Sequence, residues 1–350
     1  MKKGLLKKLF FLSLLGIILL ALTACGNKQD KANQGSEALP EEINFGILRV
    51  PNDETIAIAE GLFDKYFTEK GINCNFIIFD SGVEANKALA SGSIDFATMG
   101  NTNAITALSR ELGVEMIWIH EVLGEIEALA VKEGSGLNEI SQLAGEKIAT
   151  PFASTSHFIL LNVLKEAGIE EKVQLLDMQT AEIVAAWERG DIQAAYTWQP
   201  SLGKLLESGQ VLISSKEMAE KGYITANVAV VRKKFSTKYP DLVALFVSCL
   251  TEAGDIYRKD PEKAAAIVAK ELGISPEEAL LQMKGSTWHR PEVLLSDDFF
   301  GTRGKPGAFA RVMKDTSDFL QGQRSIEYSP TQEEFSEYVN PAYIEKSLDK

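Results

Sequence analysis

Ser154, Thr155, Ser156 and His157 follow one another at the start of the segment "TPFASTSHFILLNVLKEAGI" (150–169), whose apolar residues recur at helical spacing. Three hydroxyls and an imidazole allow three chemistries: a nucleophile with its base, a cradle for an anion, or a helix cap. Adjacent residues on a helix point about 100° apart, so Ser156 and His157 do not face each other. Ser154 or Thr155 can approach His157, but no orienting acid or nucleophile elbow lies nearby in the sequence. A cap needs one hydroxyl and stabilises a helix by about 1 kcal/mol. The surplus hydroxyls favour a cradle, because a first helical turn offers free N–H groups and the positive end of its dipole to a sulfonate, phosphate or carboxylate.

A second helix opens in the same way. In "MGNTNAITALSREL" (99–112) a strand runs through Gly100 into Asn101 and Thr102. Their polar side chains suit a cap or the other wall of a site, since ligands of open α/β sheets bind beyond the carboxyl ends of the strands. Other chemistries find no support. There is no phosphate-binding Gly-rich loop ending in Lys-Ser/Thr, no Gly-x-Ser-x-Gly, and no His-Glu-x-x-His. The three histidines, His120, His157 and His289, have no metal-ligand spacing, so neither a metal nor a cofactor is expected.

The elements that must position these residues repeat one pattern: an amphipathic helix, a glycine, then a short apolar run. It occurs at 83–91 with Gly92, 103–112 with Gly113, 156–167 with Gly168, 181–189 with Gly190 and 201–208 with Gly209. Alternating strands and helices imply helix-covered, mainly parallel sheets. "LASGSIDFATMGNT" (89–102) and "WERGDIQAAYTWQP" (187–200) share a glycine and an isoleucine at matching offsets, which suggests two lobes of similar build. "EALAVKEGS" (127–135) and "TANVAVVRKKF" (225–235) flank one set of these units and read as the crossing strands. Residues 41–128 and 228–350 then form lobe 1, with a helical tail, and residues 129–227 form lobe 2.

The chain begins "MKKGLLKKLFFLSLLGIILLALTAC": lysines, a short apolar run, then small residues before Cys25. That is the pattern of a lipoprotein signal peptide (1–24), with Cys25 as the lipid-bearing residue. Residues 25–40 are polar and read as a flexible tether. The expected place is the extracytoplasmic face of the cell membrane, held by a lipid anchor. A formal net charge of −13, which loss of four leader lysines makes more negative, argues against nucleic acid as a partner. Cys74 and Cys249 are single and far apart; packing is the plain reading, and sequence cannot pair them.

Three stretches, "FDSGVEANKALASGSIDFATMGNTNAITA" (79–107), "EALAVKEGSGLNEISQLAGEKIATPFASTSHFILLNVLKEAGI" (127–169) and "AAWERGDIQAAYTWQPSLGKLLESGQVL" (185–212), resemble the substrate-binding proteins of taurine and alkanesulfonate ABC transporters. "KGSTW" (284–288) resembles a later segment of the same family. The resemblance implies a type II periplasmic-binding-protein fold: two α/β lobes joined by two crossover strands and closing on a ligand. It implies a monomeric receptor without catalytic residues that passes a small sulfonate, taurine first, to a permease and its ATPase. Ser154, Thr155, Ser156 and His157 would form the sulfonate end, facing Asn101 and Thr102. Glu127 matches an acid suited to an ammonium group, and Trp198 an aromatic at the cleft. Asn227 departs from an acid of the taurine-binding members; an amide accepts a hydrogen bond but cannot pair charge. Glu127, helped by Asp53, would then hold the amine, or the ligand is another one: a nitrate-like anion, an aromatic sulfonate or a pyrimidine precursor. A secreted Ser/His hydrolase is the reading from a different class.

Overall fold

The computed structural model describes residues 38–349. The leader and Cys25 lie outside them. Chain order begins with strand β1 (Glu42–Leu48) and helix α1 (Asp53–Ala59), whose N-cap Asn52 accepts the Thr55 N–H at 3.0 Å. After α2 (Leu62–Tyr66) come β2 (Asn73–Phe79), α3 (Gly82–Ser91), β3 (Phe96–Gly100), α4 (Asn101–Ser109) and β4 (Val114–Val122). The chain then crosses into β5 (Glu127–Lys132), β6 (Lys147–Thr150), α5 (Thr155–Glu166), β7 (Gln174–Asp177), α6 (Thr180–Arg189), β8 (Ala194–Trp198), α7 (Ser201–Leu206), β9 (Gly209–Ser214) and α8 (Ser215–Ala219). It returns through β10 (Ala226–Arg232) to a helical tail that includes α9 (Lys233–Lys238) and α10 (Pro240–Lys259).

Two five-stranded sheets result, ordered β2-β1-β3-β10-β4 and β7-β6-β8-β5-β9. Each is parallel apart from one inserted strand: β10 runs antiparallel to β3 and β4, and β5 antiparallel to β8 and β9. The two inserted strands are the two crossing segments read from the sequence. They are tied where they cross, the Leu123 N–H donating to the Thr225 carbonyl at 2.8 Å. The "KGSTW" segment seals the crossing, with Val122 and Thr287 exchanging backbone hydrogen bonds at 2.9 and 3.0 Å. Gly124 has no room for a side chain there, because a Cβ would meet the Gly285 carbonyl at 2.6 Å.

The core of lobe 1 is aromatic. Phe45 lies within 6 Å, ring centre to centre, of Phe63, Phe76, Phe96 and Phe246, which joins β1, β2, β3 and the tail helix α10. Burial of each such ring contributes roughly 1.5–3 kcal/mol. In lobe 2, Trp187 on α6 is buried against Ala128, Ala130 and Leu205. Its indole N–H donates to Ser208 at 3.0 Å.

The helix-ending glycines divide into two kinds. Gly92 and Gly190 take left-handed cap conformations, φ 75° and 77°, as their positions predict. Gly209 instead belongs to β9, where its lack of a side chain admits the Trp187 ring and the Val131 carbonyl, 2.6 and 2.8 Å from where a Cβ would stand. Cys74 and Cys249 are both free thiols, half-buried on β2 and buried on α10.

Candidate ligand-binding site

Three helix starts converge on the space between the lobes. Ser81, Gly82 and Val83 at the head of α3 and Gly100 and Asn103 at the head of α4 line it from lobe 1; Ser154 and Thr155 at the head of α5 line it from lobe 2. Leu48, Val50, Leu123, Ile126, Pro151, Phe152, Trp198, Gln199 and Asn227 complete the wall. Not one of these side chains is charged. The lobes are drawn close, leaving a cavity of about 30 Å³ between them. Gly100 permits that approach: a Cβ there would stand 2.8 Å from Thr155 Cγ2. Asn103 Nδ2 donates across the gap to the Ala153 carbonyl at 3.0 Å, and the Thr102 hydroxyl to the same oxygen at 3.4 Å.

The α5 start is built by its own residues. Ser154 caps the helix, accepting the His157 N–H at 3.1 Å while donating to the Pro151 carbonyl at 2.6 Å. Ala153 before it is held at φ 60°, a conformation that costs a residue with a Cβ about 1–2 kcal/mol. The His157 ring stacks on Phe152, centres 4.4 Å apart and 8° from parallel, and its Nδ1 accepts the Ala153 N–H at 3.3 Å. Burial holds the imidazole at about 4, against a weaker pull upward from Asp177. His157 is therefore a neutral brace for the loop. Its ring makes no hydrogen bond to a hydroxyl of the stretch, so the geometry provides no nucleophile–base pair.

Glu127 lies behind the hydroxyls, fully buried. Its Oε1 accepts from Thr155 and, at 2.8 Å, from Ser156; its Oε2 accepts from Ser215 at 2.6 Å and Thr225 at 3.1 Å. Burial raises its affinity for a proton and the four hydroxyls oppose that rise. Sequence reasoning placed Glu127 toward an ammonium group; the structure turns both its oxygens toward hydroxyl groups of the protein.

Of the residues singled out from the sequence, Ser154, Thr155, Trp198 and Asn227 meet at the cleft wall. Ser156 and His157 face inward from it. Asn101 ties the returning segment, accepting the Ala226 N–H at 3.3 Å and donating to the Ile224 carbonyl at 3.4 Å. Asp53 is buried in lobe 1, accepting from Trp118 Nε1 at 2.8 Å and His120 Nδ1 at 2.5 Å. Sequence reasoning passed over Ser81 and Gly82, although "FDSG" before a helix is the same kind of signal as "FAST". The Ser81 hydroxyl makes no capping bond to the α3 backbone, and the residue lines the cleft. Among the described residues no group of three or more His, Cys, Asp and Glu side chains is placed to hold a metal.

Two sheets, each with one strand exchanged, and a ligand space between them at the helix starts define a two-lobed binding protein of the periplasmic type. Residues 49–256 match the substrate-binding domain of ABC-type glycine betaine transport systems, and the chain belongs to that family. The taurine-binding periplasmic protein of Escherichia coli strain K12 is 31% identical over 298 residues, 83% of this chain and 88% of that protein. The fold is shared with the periplasmic aliphatic sulphonate binding protein SsuA from Escherichia coli (TM-score 0.68, 20% identity, 85% of this chain and 92% of that one). It is shared too with the desulfurization enzyme DSZB (TM-score 0.61, 16% identity, 89% and 99%). Homology therefore assigns the chain to the solute-binding components of ABC importers.

Proposed function

We propose that this protein is an extracytoplasmic receptor that captures a small sulfonate, taurine first, between lobes 41–128/228–350 and 129–227 and delivers it to a membrane permease and its ATPase. One observation carries the reading: helix starts bearing hydroxyls converge on a cleft without a charged side chain. A sulfonate stays ionised at any physiological pH and needs donors, not a proton acceptor; helix N-termini and hydroxyls supply them. The Ser81 hydroxyl and the backbone N–H groups at the Ser154–Thr155 start of α5 are assigned to the anion end and Trp198 to the ligand's carbon body. Glu127, Ser156, His157, Asn101 and Thr102 are assigned to holding the cradle in shape. The desulfurization enzyme of like fold shows that the architecture tolerates chemistry. The matched family and the taurine-binding relative are transport components, which supports binding without reaction.

Calorimetric titration with taurine, ethanesulfonate, sulfate and nitrate tests the reading. Heat from the sulfonates and none from nitrate or sulfate is expected; silence from every sulfonate refutes it. The anchor at Cys25 belongs to the same proposal, although it lies outside the described residues. Among those, no helix is long and apolar enough to cross a membrane. Cys25→Ser should release the protein from membrane fractions, and retention would contradict lipidation as the anchor.

A further inference from the structure

Lobe 1 buries a group of charges directly behind the cleft. Asp53, Glu54, His120 and Glu121 are each at most 3% exposed. Most of this group is internally matched: Asp53 holds His120, His120 Nε2 lies 2.9 Å from the Thr98 hydroxyl, and that hydroxyl donates to Glu54 at 2.6 Å. Glu121 is the exception. Its Oε1 accepts from Asn227 Nδ2 at 2.6 Å, while its buried Oε2 has no partner among the described residues. An unmatched buried oxygen of this kind is destabilising and calls for a reason.

The backbone aims Glu121 at Asn227. β4 carries a bulge, since Asn227 pairs with Glu121 whereas the next residue, Val228, pairs with Ile119, so that His120 is the extra residue. Bulges re-aim side chains beside functional sites. Asn227 in turn lines the cleft. An amide has a donor end and an acceptor end; with Nδ2 held by Glu121, Oδ1 is the atom left to meet a ligand.

We infer that Glu121 is a positioning residue for ligand selection: by holding the Asn227 amide from behind, it makes the lobe 1 wall a hydrogen-bond acceptor and favours sulfonates that bear an N–H or O–H donor. The inference rests on the sulfonate-receptor reading. An ionised Glu121 can only accept, so the amide must turn Nδ2 toward it; a protonated Glu121 can donate, which frees the amide to turn and offer Nδ2 to the cleft. Burial pushes Glu121 up to about 8, against the pull of His120 and the Asn227 bond and with the push of Asp53 and Glu54. Those are the groups that act on it: His120 from its own strand, Asp53 and Glu54 from α1, and the neutral Asn227 from β10. Preference for a donor-bearing ligand therefore rises with pH across the neutral range.

The test compares the affinities of the protein for taurine, 2-hydroxyethanesulfonate and ethanesulfonate between pH 6 and 8.5. Both donor-bearing ligands should gain on ethanesulfonate by about tenfold over that range, the worth of one well-made hydrogen bond. The hydroxyl ligand separates this effect from any titration of the amine. In Glu121→Gln the ratio should no longer change with pH, and a slope that persists there removes Glu121 from the role. Ratios that are flat in the unsubstituted protein, with all three ligands bound, overturn the inference and leave the receptor reading intact. Absence of binding by all three overturns both.

Discussion

Gly100 and Thr155 touch across the cleft, one at the end of a lobe 1 strand and the other in the first turn of a lobe 2 helix. A Cβ on Gly100 would stand 2.8 Å from the Thr155 methyl group, well inside van der Waals contact. The backbone of Gly100 is ordinary, φ −63°, so what the glycine provides is space, not conformational freedom. The approach of the two lobes seen here depends on that space.

Gly100→Ala should therefore act on closure alone. An inserted methyl in a close contact costs about 1–3 kcal/mol, here incurred only when the lobes meet. Sulfonate affinity should fall by about tenfold or more, while the melting temperature without ligand stays unchanged. Thr155→Ser in the same chain removes the opposing methyl and should restore much of the affinity, a coupling that a double-mutant cycle by calorimetry measures. Equal affinity in Gly100→Ala and the unsubstituted protein would show that the liganded cleft is wider than this one.

Ser154→Ala removes the cap on the His157 N–H and the bond to the Pro151 carbonyl. The loss of a serine cap costs about 1 kcal/mol of stability, which thermal unfolding will show as a drop of a few degrees. Affinity should fall for every sulfonate alike, because the cap fixes the helix start whose free N–H groups face the anion end. An intact affinity would place that end at α3 and Ser81 instead.

Much of this arrangement was readable in the sequence because it rests on local chemistry. The Ser154 cap, the glycine stops at Gly92 and Gly190, and the two exchanged strands all follow from residue type and short-range pattern. What escaped depends on partners far apart in the chain. Glu127 lies 28 residues from Thr155, 88 from Ser215 and 98 from Thr225, and no local pattern reveals that an acid is encircled by hydroxyls. The bulge at His120 is equally invisible, since it appears only when β10 pairs with β4. Ser81 was missed for a different reason: its signal was present, but two other helix starts had already accounted for a site.

The loop before α5 should fail in acid through His157. Its folded value of about 4 lies below the ordinary 6.5, chiefly because of burial. A histidine depressed in this way contributes stability that is present above the unfolded value and lost as pH falls from 6.5 through about 4. Protonation of Nδ1 also ends its acceptance of the Ala153 N–H. Affinity for ethanesulfonate, which carries no donor for Asn227, followed by intrinsic tryptophan fluorescence, should hold level from pH 8 to about 5.5 and then decline. In His157→Phe, which keeps the stacking on Phe152, the decline should be absent; an unchanged acid limb would assign it to another group.

Glu127→Gln distinguishes an acid that meets the ligand from one that shapes the cradle. The present geometry predicts the second. A glutamine puts an amide NH₂ where either Thr155 and Ser156 or Ser215 and Thr225 now donate to a carboxylate oxygen. Two of the four hydroxyls must turn to accept, and hydrogen bonds to a charged group worth about 1.5–3 kcal/mol each are weakened. Stability should fall by about 1–3 kcal/mol, and α5 should lose the register of its first turn. Taurine and ethanesulfonate dock on the same α5 start, so their affinities should drop by similar factors, about tenfold. A loss confined to taurine would instead put a Glu127 oxygen on the ligand's ammonium group, and would require Thr155 and Ser156 to release it when the cleft fills.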